Sequence, residues 1–151
     1  MSAVKIREAQ AADLDAIVEI ERRNPFAAHW NEDEYLRLFR DSQVRRLALI
    51  AVVDGVAGFV IAREVAGEWE LENIAVSPRL QRGGVGSALL RELCDRVLSA
   101  GGAKLLLEVR ESNVAARKLY EGQGFNLTGR RKNYYSNPEE DALLFEKNFP
   151  K

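Results

Sequence analysis

Apolar side chains along this chain alternate between two spacings, and the changes of spacing mark out strands and helices. Residues 4–8 fit a first strand. Leu14, Ile17, Val18 and Glu21 then follow the spacing of one helical face, with Asp13 placed to cap the first turn through a side-chain oxygen. Asn31 and Glu34 have the spacing of a capping box, and Tyr35, Leu36, Leu38 and Phe39 supply the apolar face of the second helix it opens. Residues 47–53 form an unbroken apolar run. Asp54-Gly55 follows and leads into 56–62, which predicts a hairpin with a primed two-residue turn, because Gly accepts positive φ. A turn at Ala66-Gly67 starts a strand over 68–76. There Trp69, Leu71, Asn73 and Ala75 alternate with Glu70, Glu72, Ile74 and Val76, so the carboxylates of Glu70 and Glu72 share a face.

Past Pro78 a Gly-rich turn leads into a long helix, 84–100, ended by Gly101-Gly102. Residues 104–109 are a short apolar strand, and 113–121 are helical, closed by Gly122 and Gly124. Residues 125–134 and 142–148 form a last hairpin around Asn137-Pro138. The order predicts a mixed sheet with helices on both faces, of the α/β (α+β) class. With 151 residues, 46% of them apolar, one domain over 1–151 is expected.

Charge narrows the partners. The 22 Lys and Arg residues nearly balance 23 Asp and Glu, leaving a formal charge of −1, so direct nucleic-acid binding is not expected. Arg130, Arg131 and Lys132 beside Tyr134 and Tyr135 read as the solvated edge of a hairpin. No apolar run is long enough to cross a bilayer, and residues 1–10 lack the apolar stretch of a secretory signal, so a cytoplasmic protein without membrane contact is expected. Cys94 is the sole cysteine, in an apolar helical stretch that points to packing. No Cys/His cluster is present to hold a metal, and no metal is expected.

The chemistry concentrates in Gln81-Arg82-Gly83-Gly84-Val85-Gly86, between a strand and a helix. Successive backbone N–H groups there can surround an anion, glycines remove the Cβ atoms that would hold it off, and the helix start adds roughly half a positive charge. It is not a Walker A loop, since no Lys-Ser or Lys-Thr follows. Nor is it a dinucleotide fingerprint, since G-x-G-x-x-G is absent. The residues alone leave open an ordinary turn before a helix.

Asn73-Ile74-Ala75-Val76-Ser77-Pro78 followed by this turn resembles the acetyl-coenzyme A motif of the GNAT acyltransferases, Q/R-x-x-G-x-G/A. Leu107-Glu108-Val109-Arg110, Ser112-Asn113-Val114-Ala115-Ala116, Leu119-Tyr120-Glu121 and Gly124-Phe125 continue the likeness in order over nearly the whole chain. The resemblance implies the GNAT fold, a mostly antiparallel sheet of about seven strands, and acetyl-CoA as cosubstrate. More narrowly, residues 107–110, 130–135 and 140–142 resemble the bacterial ribosomal-protein-alanine N-acetyltransferases. That family acetylates the N-terminal alanine of a ribosomal protein and usually has Pro-Trp where this chain has His29-Trp30. The acceptor implied is such an N-terminus, with lysine or a small amine as the alternative and a non-catalytic acetyl-CoA-binding module as a third reading. The active species expected is a monomer or weak dimer.

Carried over by the resemblance, the backbone of Ile74, Ala75 and Val76 pairs with pantetheine amides, residues Arg82, Gly83, Gly84, Val85, Gly86 and Ser87 hold the pyrophosphate, and Asn113 contacts coenzyme A besides capping its helix. Glu108 is the implied base for the acceptor amine. From the residues alone it is equally a strand-end acid paired with Arg110 or another cation, and Glu70 and Glu72 are rivals. Tyr120 is the implied acid for the departing thiolate, against a core tyrosine with its hydroxyl satisfied. Trp30, Glu72 and Tyr134 are candidates for the acceptor side, and His29 is assigned to a loop beside it. A thioester is already activated, so direct attack without an acetyl-enzyme is expected.

Overall fold

The computed structural model describes residues 3–40 and 43–150; Met1, Ser2 and Lys151, at the limits of the expected domain, lie outside the described residues. The chain runs through β1 (Lys5–Glu8), α1 (Leu14–Arg22), α2 (Glu32–Arg40), β2 (Arg46–Val52), β3 (Val56–Val65) and β4 (Glu68–Val76). It continues through α3 (Val85–Ser99), β5 (Lys104–Arg110), α4 (Val114–Gly122), β6 (Asn126–Tyr135) and β7 (Glu140–Asn148). One seven-stranded sheet has the order β1-β2-β3-β4-β5-β7-β6. Every neighbouring pair is antiparallel except β4 with β5.

The unbroken apolar runs of β2 and β3 follow from helices on both sides, since a strand covered on both faces has no polar face to show. On one side Ile17 and Ile20 of α1 and Tyr35 of α2 pack against Ile50, Phe59, Ile61 and Ala75. On the other, Leu89, Leu90, Leu93 and Val97 of α3 cover Leu49, Ala51, Val60 and Ala62, and the cluster extends to Tyr120 of α4 over Leu107, Val109 and Phe145. Full burial of each large apolar side chain contributes about 1.5–3 kcal/mol.

Three local expectations are corrected. Asp13 does not cap α1 with its side chain. It sits in a 3₁₀ turn, accepts the Gln10 N–H at 2.7 Å and pairs with Arg7 at 2.9 Å, which holds its carboxyl below the usual range. The β2–β3 loop has three residues, 53–55, with a register shift beside it, although Asp54 and Gly55 do take positive φ. The third correction matters most. Ile61 pairs with Asn73 and Ala62 with Leu71, so Glu72 is an extra residue, a β-bulge, and the alternation of β4 reverses across it. Trp69 and Leu71 pack toward α3, whereas Asn73 and Ala75 face α1 and α2, leaving Ile74 and Val76 toward α3. Glu70 and Glu72 still lie together, both reaching Arg63.

The Ala66-Gly67 turn, the Asn31–Glu34 capping box and the glycine stop of α3 form as read. Gly58 of β3 allows β4 and α3 to close on it: an added Cβ would stand 2.9 Å from the Ala75 carbonyl oxygen and 3.2 Å from Leu89 Cδ1. Gly58→Ala is therefore expected to lower stability by about 1–3 kcal/mol, seen as a lower urea midpoint. An unchanged midpoint would show that β4 shifts there without strain.

Candidate active site

β4 and β5 pair at Trp69–Leu105 and Glu70–Leu106 and no further. Beyond the bulge β4 stays with β3 while β5 stays with β7, so the two parallel strands part. A cleft of about 1220 Å³ fills the gap, lined by residues 70–76 of β4 and 106–110 of β5, with the start of α3, α4 and the loop 24–30 around it. The Ser77 N–H donates to the Ala57 carbonyl on β3. The Val76 carbonyl, on the opposite side of that peptide plane, is thereby turned to the open edge of β4. Ile74, Ala75 and Val76 all line the cleft.

At one end lies the glycine turn. Arg82 and Gly84 have φ of 68° and 84°, which bends the chain so that α3 begins at the cleft. The first helical bond runs from the Ala88 N–H to the Gly84 carbonyl, so the N–H groups of Val85, Gly86 and Ser87 have no helical acceptor, and among the described residues no side chain caps them. Arg82, Gly84, Gly86 and Ser87 line the cleft. Gly83 does not, its N–H being bonded to the Leu80 carbonyl, and the Val85 side chain is buried in the core, leaving only its backbone for a ligand. Asn113 caps α4 by accepting the Ala116 N–H at 3.2 Å and also borders the cleft.

The other end gathers charge. Glu108 projects from β5 on the face opposite the buried Leu107 and Val109, and accepts a bond from Arg131 Nε at 3.0 Å. Arg110, one of its expected partners, pairs instead with Glu140 at 3.1 Å. Glu72 is held by Arg46 at 3.0 Å, both side chains nearly buried, at 13% and 17% exposure; Glu108 and Arg131 retain 32% and 55%. Tyr134, exposed, lies edge-on to Tyr135 and under the Arg131 guanidinium, and the neighbouring Glu108 carboxylate raises its phenol above the ordinary value. Burial, with Glu108 adding to it, pushes Tyr135 up to about 12. The Arg130–Lys132 stretch is no bare basic edge, since Arg130 pairs with Glu111 and Asp141 at 2.7 Å.

Tyr120 enters the cleft from beneath. Its ring packs in the core 5.8 Å from that of Phe125, while among the described residues none hydrogen-bonds its hydroxyl. Burial, with a smaller contribution from Tyr135, raises the phenol well above its usual range, so it stays protonated through neutral and mildly alkaline pH.

A polar network that sequence reasoning missed supports the roof. Glu21 of α1 accepts a bond from Asn73 Nδ2 and another from the Trp30 N–H at 3.2 Å, and Asn73 Oδ1 accepts the Ala28 N–H at 3.2 Å. Glu21 and Asn73 are 3% and 2% exposed. Together they pin the loop that brings Phe26, His29 and Trp30 to the cleft, with Trp30 packed on Tyr35 at 5.3 Å. The available signal was an acid on the apolar face of α1 and an Asn in an apolar strand, a pair that buried polar groups require.

Residues 14–125 match the profile of the acetyltransferase (GNAT) family. The chain is 40% identical over 143 residues to the ribosomal protein bS18-alanine N-acetyltransferase of Escherichia coli K12, across 92% of this chain and 93% of that one. The crystal structure of the Escherichia coli ribosomal-protein-S18-alanine N-acetyltransferase superposes with a TM-score of 0.86 at 37% identity, over 99% of this chain and 96% of that chain. An acetyltransferase of Bacillus anthracis solved in complex with acetyl coenzyme A shares the fold, with a TM-score of 0.79 at 22% identity over 98% and 99% of the two chains.

Removing the hub of the buried network leaves the Glu21 carboxylate one donor short and the Ala28 N–H without its acceptor. Asn73→Ala is expected to destabilise the protein by about 2–3 kcal/mol, read from denaturant unfolding. A loss below about 0.5 kcal/mol would show that water replaces the amide without cost.

Proposed function

The chain belongs to the acetyltransferase (GNAT) family, and from that membership we propose that it transfers the acetyl group of acetyl-CoA to the N-terminal α-amine of alanine on a ribosomal protein, the reaction for which its 40%-identical relative is named. Such an acceptor puts the work in the cytoplasm. What carries the reading is the parting of β4 from β5, which leaves a strand edge running from a helix N-terminus to a carboxylate.

The residues present fit the donor. The N–H groups of Val85, Gly86 and Ser87 suit a diphosphate, helped by the α3 dipole. The open edge of Ile74, Ala75 and Val76 suits amides that add to β4 as a strand would. Acetyl-CoA supplies an acyl group already activated as a thioester. Cys94, buried outside the cleft with its thiol pushed up by burial, is not needed as a nucleophile.

Two side chains handle protons. Glu108 is the base, directly or through a water, because its partner Arg131 is exposed and such a pair is worth only about 0–1 kcal/mol, so an incoming amine displaces it readily. Glu72, locked to Arg46 with little exposure, instead shapes the acceptor end with Trp30 and Tyr134. Tyr120 is the acid for the departing sulfur; its raised titration keeps the phenol protonated at neutral pH, ready to hydrogen-bond the charge that develops on the thiolate. An α-amine, with a pKa near 8 against about 10.4 for lysine, loses its proton more easily to a carboxylate.

Glu108→Gln and Tyr120→Phe are each expected to lower kcat by roughly a hundredfold or more, while the acetyl-CoA Kd by calorimetry stays within about twofold. Wild-type turnover in both variants would remove these roles. The wild-type kcat profile should show no alkaline fall below about pH 10; a fall near pH 8 would mean that Tyr120 is not the acid. With peptides bearing both groups, mass spectrometry should find acetyl on the N-terminal alanine and not on an internal lysine; preferential lysine labelling would overturn the acceptor.

A further inference from the structure

The Val76 carbonyl, on the edge assigned above to the donor, already accepts two hydrogen bonds, from Asn24 Nδ2 at 3.1 Å and from Gln81 Nε2 at 3.2 Å. A carbonyl oxygen has two lone pairs, so a third donor must displace one of these. The same two side chains are joined to each other, Gln81 Nε2 donating to Asn24 Oδ1 at 2.9 Å, and Asn24 Nδ2 also donates to the Ile20 carbonyl at 2.7 Å. The result is a clamp that ties three pieces together: the end of α1, the open edge of β4, and the turn that precedes α3. Asn24 is 9% exposed, so water competes weakly for its bonds.

Asn24 also begins the loop over the acceptor end. Its carbonyl accepts the Ala27 N–H at 3.2 Å, and the next residues carry Phe26, half exposed, then His29 and Trp30, all bordering the cleft. We propose that Asn24 is a positioning residue that couples the two substrates. A donor amide that takes the Val76 carbonyl frees Asn24 from β4, and the loop 24–30 then settles around the acceptor. The inference rests on the cleft being the acetyl-CoA site. Coupling of this kind is reciprocal: whatever the clamp takes from donor affinity, it also takes from acceptor affinity until the donor is present.

Calorimetry with coenzyme A, which cannot be turned over, tests it. In Asn24→Ala the coenzyme A Kd should fall by about two- to tenfold, the equivalent of one hydrogen bond no longer displaced. The dependence of Ala-peptide affinity on saturating coenzyme A should shrink by a similar factor. Asn24→Asp, which keeps the volume but cannot donate to Val76, should move both readouts in the same direction. Mere structural damage would weaken binding, so an unchanged or raised coenzyme A Kd in both variants overturns the coupling. If the wild-type protein binds no coenzyme A, the assignment of the cleft fails and the coupling fails with it.

Discussion

The site depends on one interruption of backbone pairing. A parallel pair of strands in mid-sheet ordinarily stays bonded along its length, because an unpaired edge inside a protein leaves N–H and C=O groups unsatisfied. Here β4 and β5 stop after two registered pairs, and the bulge at Glu72 turns β4 just beyond them. Antiparallel partners on the outer sides, β3 for β4 and β7 for β5, keep each strand hydrogen-bonded while the inner edges separate. The fold can hold such a gap because each of the two strands has its own hydrophobic support: Leu107, Val109 and Phe145 under the β5 side, and Phe59 and Ala75 against α1 and α2 on the β4 side.

Most of the architecture was legible from spacing because the elements are short, strongly patterned and punctuated by glycines whose backbone angles side-chained residues rarely adopt. Gly84, Gly101 and Gly124 all have positive φ, and each falls at an end of a helix. The bulge was not legible. A strict two-residue alternation through 68–76 puts apolar residues on both faces, Trp69, Leu71 and Ala75 on one and Ile74 and Val76 on the other, which a strand covered by helices on both sides accepts as readily as the true arrangement. Only the buried Glu21, waiting on α1 for a donor, distinguishes the two, and that contact joins residues 52 positions apart.

The candidate residues divide along the same line. Those carried by local backbone form, the turn before α3 and the cap at Asn113, could be placed from neighbours in sequence. The partners that set their chemistry could not. Arg131 reaches Glu108 from β6 across β7, and Tyr135 bears on Tyr120 from the end of the same hairpin. Val85 and Gly83 show the converse: inside a correctly read turn, one side chain belongs to the core and one N–H is already engaged.

The electrostatic arrangement of the wide end follows from burial more than from charge count. Three carboxylates, Glu70, Glu72 and Glu108, meet the guanidiniums of Arg46, Arg63 and Arg131, so the end is close to neutral as a whole. Neutrality hides a difference in mobility. A pair sealed from water keeps most of its Coulombic attraction, and separating it strands a charge, whereas an exposed pair is screened and exchanges partners at little cost. The Arg46–Glu72 pair is of the first kind and the Arg131–Glu108 pair of the second. The proposed transfer, which admits a cation, takes its proton and releases a neutral amide, calls for one labile carboxylate beside a fixed wall, and the two exposures differ in that sense.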